Sequence, residues 1–181
     1  MKKIFLPLLA STLVTLSCAS KFAPVAENAL RPTAITQPTP NDTDDPAIWI
    51  HPTDATKSLI VGTDKEDGGG LYVYDLNGKI INKFIGMQRP NNVDIAYGLL
   101  INGVKTDIAV TTERNAKRLR VFSLPDLKPI DNGGISIFDG EIGEEVREGM
   151  GIALYTKKTG TNAIEIHAIV GRKTGPSGTY L

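Results

Sequence analysis

One cysteine, Cys18, stands in the 181-residue chain, so no internal disulfide can form. The two histidines, His51 and His167, lie far apart and lack the spacing of a zinc site, so both read as structural. Aromatic residues make up 6% of the chain. The 20 basic residues neither exceed the 20 acidic ones nor cluster with aromatics, which argues against a nucleic-acid partner. There is no Gly-x-Ser-x-Gly, no Cys–His pair and no phosphate-cradling glycine loop ahead of a helix. No window carries a sustained helical stripe, and no apolar run is long enough to span a bilayer permanently.

What is abundant is glycine (18) and proline (11), beside 41% hydrophobic residues. That mixture favours many short strands and turns over long helices. The N-terminus reads as a leader: Lys2 and Lys3, an apolar stretch from Ile4 to Leu16, then Leu16-Ser17-Cys18. Cys18 resembles the lipidated cysteine of a bacterial lipoprotein, although Thr15 stands where a leucine is usual. The alternative is an ordinary secretory peptide cut near Ala19 or Ser20. Both readings place the protein outside the cytoplasm, periplasmic, secreted or held to a membrane only through a lipid anchor. Residues 1–18 are accordingly set aside as a signal peptide. Residues 19–43, rich in Pro, Ala, Thr and Asn, read as a linker, and residues 44–181 as the globular part.

The globular part is a series of short β-like runs: Ala47–His51, Ser58–Thr63, Leu71–Asp75, Ile80–Ile85, Val93–Tyr97, Asp107–Thr112, Arg118–Leu124, Gly134–Phe138, Gly151–Tyr155, Ile164–Val170 and Gly178–Leu181. Turn signals separate them, among them Asn77-Gly78, Asn102-Gly103 and Asn132-Gly133. The runs group in fours, over 47–85 and 93–138, with a third group opening at 151. A four-stranded unit of roughly 40–50 residues is the period of a β-propeller blade. The expected fold is all-β, a β-propeller of which about two to three blades are present, since a ring needs about four to eight. The chain also stops inside an apparent strand, so the expectation is the N-terminal part of a longer protein. A complete small sandwich is the alternative.

Two sets of residues bear chemistry. The first is acidic: Asp42, Asp44 and Asp45, within Asn41-Asp-Thr-Asp-Asp-Pro-Ala-Ile-Trp49. Carboxylates so close repel one another unless a positive group sits among them, and calcium takes six to eight such oxygens. The spacing is not that of an EF-hand, and a solvated acidic turn is the plainer reading. Pro46 opens a strand, so Asp44 and Asp45 are expected to point different ways. The second set is cationic. Lys65, Arg114 and the pair Arg172-Lys173 each follow the end of a strand. Equivalent strand ends of a propeller gather on one face, so these cations could converge on a polyanion, arginine as a fork and lysine as a point charge. Taken singly, each is more simply a solvated loop charge. Asp94, inside an apolar strand, reads as a structural carboxylate capping a turn.

Several segments together resemble the β-propeller phytases: Asp44-Asp-Pro-Ala-Ile-Trp-Ile-His-Pro52, Gly70-Leu-Tyr-Val-Tyr-Asp-Leu-Asn-Gly-Lys79, Asn91-Asn-Val-Asp-Ile-Ala-Tyr97, Asp107-Ile-Ala-Val110, Glu113-Arg-Asn115 and Gly149-Met-Gly-Ile-Ala-Leu-Tyr155. They occur in the family's order over residues 42–181. The resemblance implies a six-bladed propeller, monomeric at full length, that removes phosphate from phytate or other inositol phosphates with calcium. It implies that Asp44 is a ligand of the catalytic calcium cluster and Asp45 a ligand of a structural calcium. It further implies that Lys65, Arg114 and one or both of Arg172 and Lys173 contact phosphate. Two departures stand out. Met150 occupies a position that is often tyrosine, and Arg31–Thr36 carries no carboxylate where an acidic residue is expected. On this reading the chain by itself lacks the later acidic ligands and is inactive alone. A non-enzymatic surface propeller that keeps calcium for rigidity is the competing function, and a lactonase or diesterase on the same scaffold is a third.

Overall fold

The computed structural model describes residues 25–160 and 163–175. Cys18 and the expected strand Gly178–Leu181 lie outside the described residues. The described residues fall into two units, one ending at Pro32 and the other beginning at Thr33. In the first, the described residues hold a turn closed by the Ala29 N–H on the Ala26 carbonyl at 3.0 Å. In the second lie three antiparallel sheets.

The first sheet is a meander of β1 (Thr43–Trp49), β2 (Leu59–Asp64), β3 (Gly70–Tyr74) and β4 (Ile80–Ile85), hydrogen-bonded in that order. All five residues of β3 are buried, whereas β4 is largely exposed, as suits an outer strand. The turn between them is built by Asp75, whose Oδ1 accepts the N–H groups of Asn77 and Lys79, both at 2.9 Å. Gly78 follows at φ 80°, and a Cβ there would lie 2.5 Å from the Ile35 carbonyl oxygen. That close approach exists because the segment before β1 is laid along this hairpin. The Gln37 N–H donates to the Gly78 carbonyl at 2.8 Å, and its side-chain oxygen accepts the Ile80 N–H at 2.7 Å. The later part of the stretch read as linker is therefore pinned to the sheet.

The second sheet holds β5 (Pro90–Ile101), β6 (Val104–Glu113) and β7 (Arg118–Leu124), with two short pieces, β8 (Lys128–Pro129) and β9 (Ile135–Ser136), both paired with β7. β5 and β6 run longer than their sequence pattern suggests. Asn102 and Gly103 both have positive φ, 51° and 83°, which makes the tight hairpin turn that Asn-Gly favours. Tyr97-Gly98 resembles a strand end in sequence. It is instead a bulge at which the Gly98 N–H donates to the Asp107 carboxylate at 2.9 Å. The fourth strand departs the other way. Asp131 Oδ2 accepts the Val121 N–H at 2.8 Å and pairs with Arg120 at 2.7 Å. A side chain thus takes over a backbone acceptor's place in the ladder, and the strand splits around Asn132-Gly133. The expected run Gly134–Phe138 shrinks to Ile135–Ser136.

The third sheet is the hairpin of β10 (Gly149–Lys158) and β11 (Ile164–Arg172). Two apolar layers separate the sheets. Trp49, Val61, Leu71 and Val73 of the first sheet pack with Val93, Ala109 and Phe122 of the second. Ile108, Val110 and Leu119, on the opposite face of the second sheet, pack with Ile152, Leu154, Ile166 and Val170 of the third. Alternate residues of β6 thus enter different layers, so the strand is covered on both faces. A four-stranded meander, a second one whose fourth strand is split in two and the two-stranded hairpin of a third, stacked face to face with the first strand of each beside that of the next, are the blades of a β-propeller.

Candidate active site

The three blades share a register at one end. Thr43 pairs with Asp64, Pro90 with Glu113, and Gly149 with Arg172. Immediately after each pairing the first strand bulges by one residue, so that Pro46, Val93 and Ile152 meet Gly62, Thr111 and Val170. The residues inside the three bulges are Asp44-Asp45, Asn91-Asn92 and Met150-Gly151. A bulge re-aims the side chains it carries, and here it sends two adjacent carboxylates in different directions. Asp44 Oδ1 lies 3.2 Å from Lys65 Nζ, whereas Asp45 Oδ2 accepts the Val93 N–H of the second blade at 2.9 Å.

The residue following the second strand of each blade is Lys65, Arg114 or Lys173. Each donates its backbone N–H to the residue that precedes the first strand: Lys65 to Asp42 at 3.0 Å, Arg114 to Arg89 at 3.0 Å and Lys173 to Glu148 at 2.9 Å. The three cations are therefore structural equivalents. This assigns Lys173, not Arg172, to the cation position. Arg172 is the last residue of its strand, equivalent to Asp64 and Glu113. Its guanidinium sits 4.5 Å from the Phe138 ring centre and 3.4 Å from Glu141.

Buried acids shape the loops that present these groups. Asp64, fully buried, accepts the N–H groups of Asn41 at 3.3 Å and Asp42 at 2.9 Å. Glu113, its counterpart, accepts the Gln88 N–H at 2.7 Å and is paired with Arg118. Burial works against ionisation of Glu113, but the bonds from Arg118 and the Gln88 N–H outweigh it, and its carboxyl titrates below the usual glutamate range.

Among the cations, Lys65 stands 3.4 Å from Asp42 as well as 3.2 Å from Asp44, half-exposed with both carboxylates. The hydrogen bond to Asp44, then its charge, raises the Lys65 ammonium above its ordinary value. Arg114 is largely buried and donates from Nε to Glu148 Oε2 at 2.8 Å. Lys173 Nζ lies 2.8 Å from Glu145 and 3.6 Å from Glu148. The structure thus brings Arg114 and Lys173 to one carboxylate, and Lys65 to the Asp42/Asp44 pair.

Sequence reasoning placed Asp42 in the acidic cluster but gave it no role, and it passed over Glu148. Both stand at one register position of their blades, a signal that only the strand pairing exposes. Asp94 holds blades together rather than capping a turn, since its Oδ2 accepts the Leu154 N–H of the third blade at 2.7 Å. His51 is structural: its Nδ1 accepts the Asp54 N–H at 3.1 Å. Among the described residues no three His, Cys, Asp or Glu side chains gather as a metal site. The Asp42/Asp44 pair, exposed and purely oxygen-donating, nevertheless fits a hard cation in its chemistry. It supplies only part of the six to eight oxygens that calcium takes.

Repeated blades with matching bulges define a propeller, and at one register position of each of the three stands a basic residue beside carboxylates. The family model described as phytase matches residues 2–180, and the chain belongs to the phytase family. It is similar to the 3-phytase of Bacillus subtilis (strain 168), 35% identical over 143 residues. That match covers 76% of the chain and 35% of the relative, so the chain spans about a third of the relative's length.

Proposed function

We propose that the intact protein removes phosphate groups from phytate or other inositol phosphates in a calcium-dependent reaction. The observation that carries this reading is the repeated cation. Lys65, Arg114 and Lys173 occupy one position of three successive blades, at the same end as the bulge carboxylate Asp44. A substrate with several phosphates presents several anionic groups, and a cation from each blade meets such a pattern better than a single site does. Arg114, whose Nη groups carry no hydrogen bond among the described residues, offers them as a fork, while Lys65 and Lys173 act as point charges.

Asp44, with Asp42 beside it, is proposed to hold calcium on this face, and Asp45 to hold a structural ion. Bound calcium would lower the charge barrier between a phosphate and an attacking oxygen. Arg172 is proposed to support the site from below, through Phe138 and Glu141, rather than to touch substrate.

The test is phosphate release from phytate by the intact protein, with calcium and with a chelator. Release with calcium, its loss in chelator and its return on adding calcium back are expected. Undiminished activity in chelator would remove the calcium part of the reading. No release under either condition would remove the hydrolase and leave the surface binding module.

A further inference from the structure

The shared register exposes an asymmetry among the three cations. In the first blade the residue before the bulged strand is Asp42, which pairs with that blade's own cation, Lys65, at 3.4 Å. In the third blade the same position is Glu148, which lies 3.6 Å from that blade's own Lys173. In the second blade the position is Arg89, with φ 57°, so Arg114 has no carboxylate of its own blade there. Arg114 reaches instead into the third blade and donates from Nε to Glu148 at 2.8 Å.

We infer that Glu148 is a positioning residue, which borrows the place of a carboxylate missing from the second blade to fix the Arg114 guanidinium for phosphate. The inference rests on the proposed phosphate role of Arg114. The geometry favours positioning over simple neutralisation. Glu148 grips Nε, the inner nitrogen, and among the described residues neither Nη group is bonded, which leaves them as the fork that phosphate needs. Both partners are largely shielded, with side chains 10% and 14% exposed, so the bond is screened far less than a surface pair. Burial opposes ionisation of Glu148, but the Arg114 bond outweighs it and keeps the carboxyl below its ordinary range. Its backbone is fixed as well, because its carbonyl accepts the Lys173 N–H at 2.9 Å. Lys173 itself depends less on this carboxylate, since Glu145 lies nearer at 2.8 Å.

The experiment is a double-mutant cycle on phytate hydrolysis by the intact protein, with kcat and KM measured separately. Glu148→Ala is expected to raise KM about tenfold, the size of one charge-assisted hydrogen bond poorly aligned. Glu148→Gln keeps the shape and an oxygen acceptor for Nε, and is expected to recover part of the loss. On an Arg114→Ala background, removing Glu148 is expected to add less than about twofold, because its target is gone. A purely structural clamp between blades would instead lower Tm in either single variant, without adding in the double one, and leave KM of the Glu148 variants at the wild-type value. Should Glu148→Ala fail to fold, the same cycle is run with Glu148→Gln. Additive effects, or wild-type KM in both Glu148 variants beside an impaired Arg114→Ala, overturn the inference alone. Wild-type KM in Arg114→Ala overturns the phosphate role of Arg114 and this inference with it.

Discussion

The carboxylate of Asp45, in the bulge of β1, accepts the backbone N–H of Val93 on β5 at 2.9 Å. Val93 is buried, so its N–H has no water to turn to. Asp45→Ala is expected to destabilise the intact protein by about 1–3 kcal/mol, the cost of an unsatisfied buried donor. Asp45→Asn keeps an oxygen acceptor and is expected to hold most of the Tm measured in chelator. It should also lose most of the Tm gained on adding calcium, because an ion stabilises only the state that binds it. Thermal melts of both variants, with and without calcium, separate the two roles. Equal calcium gains in wild type and Asp45→Asn would show that Asp45 holds no ion.

Glu113 gives the fold a pH dependence of known sign. Its carboxyl titrates below the ordinary glutamate value in the folded protein, since the Arg118 and Gln88 bonds outweigh burial. A depressed pKa contributes stability that is fully present above the unfolded value and is lost as pH falls through the folded one. Glu113→Gln should therefore lower Tm at neutral pH and narrow the gap to wild type as the solution is acidified below the ordinary glutamate range. A Tm difference that stays constant down to strongly acidic pH would contradict this.

Much of this architecture is legible in the sequence because blades repeat. Strand positions through β7 and both hairpin glycines, Gly78 and Gly103, follow from period-two apolar runs and Asn-Gly pairs. The outer strand of the second blade is legible only in part. The run Gly134–Phe138 holds β9, but the piece Lys128–Pro129 and the split between them are not legible, since the carboxylate of Asp131 replaces a backbone acceptor and nothing local distinguishes it from a turn aspartate. At the site, Asp44, Lys65 and Arg114 stand out through motif and resemblance. Glu148 does not, because its meaning lies in an equivalence with Asp42 that strand register creates. The choice between Arg172 and Lys173 had the same obstacle: adjacent residues differ by a strand end that only pairing locates.

The leader makes a separate expectation. Cys18, after an apolar run, is proposed to carry lipid. Metabolic labelling with a fatty acid should tag the wild-type protein and leave Cys18→Ala unlabelled. A mature N-terminus downstream of residue 18 would show an ordinary secretory leader instead.

Asp44 and Lys65 touch each other, yet their removal should have different kinetic consequences. Asp44→Ala removes a proposed calcium ligand, so phytate turnover by the intact protein is expected to fall by about two orders of magnitude or more, with kcat bearing most of the loss. It also frees Lys65 from its 3.2 Å partner, leaving Asp42 at 3.4 Å, so the cation stays near its place. Lys65→Ala removes a point charge that meets phosphate, and its expected signature is a KM raised about tenfold with a smaller change in kcat. The same variant leaves Asp42 and Asp44 without the ammonium between them. Two neighbouring carboxylates relieved of their cation repel each other and draw a divalent ion more strongly. The calcium concentration for half-maximal activity should therefore fall in Lys65→Ala and rise in Asp44→Ala. Opposite movements of one calcium titration in two touching residues are hard to obtain from general damage to the fold. If both variants shift it the same way, Lys65 and Asp44 do not share an ion site.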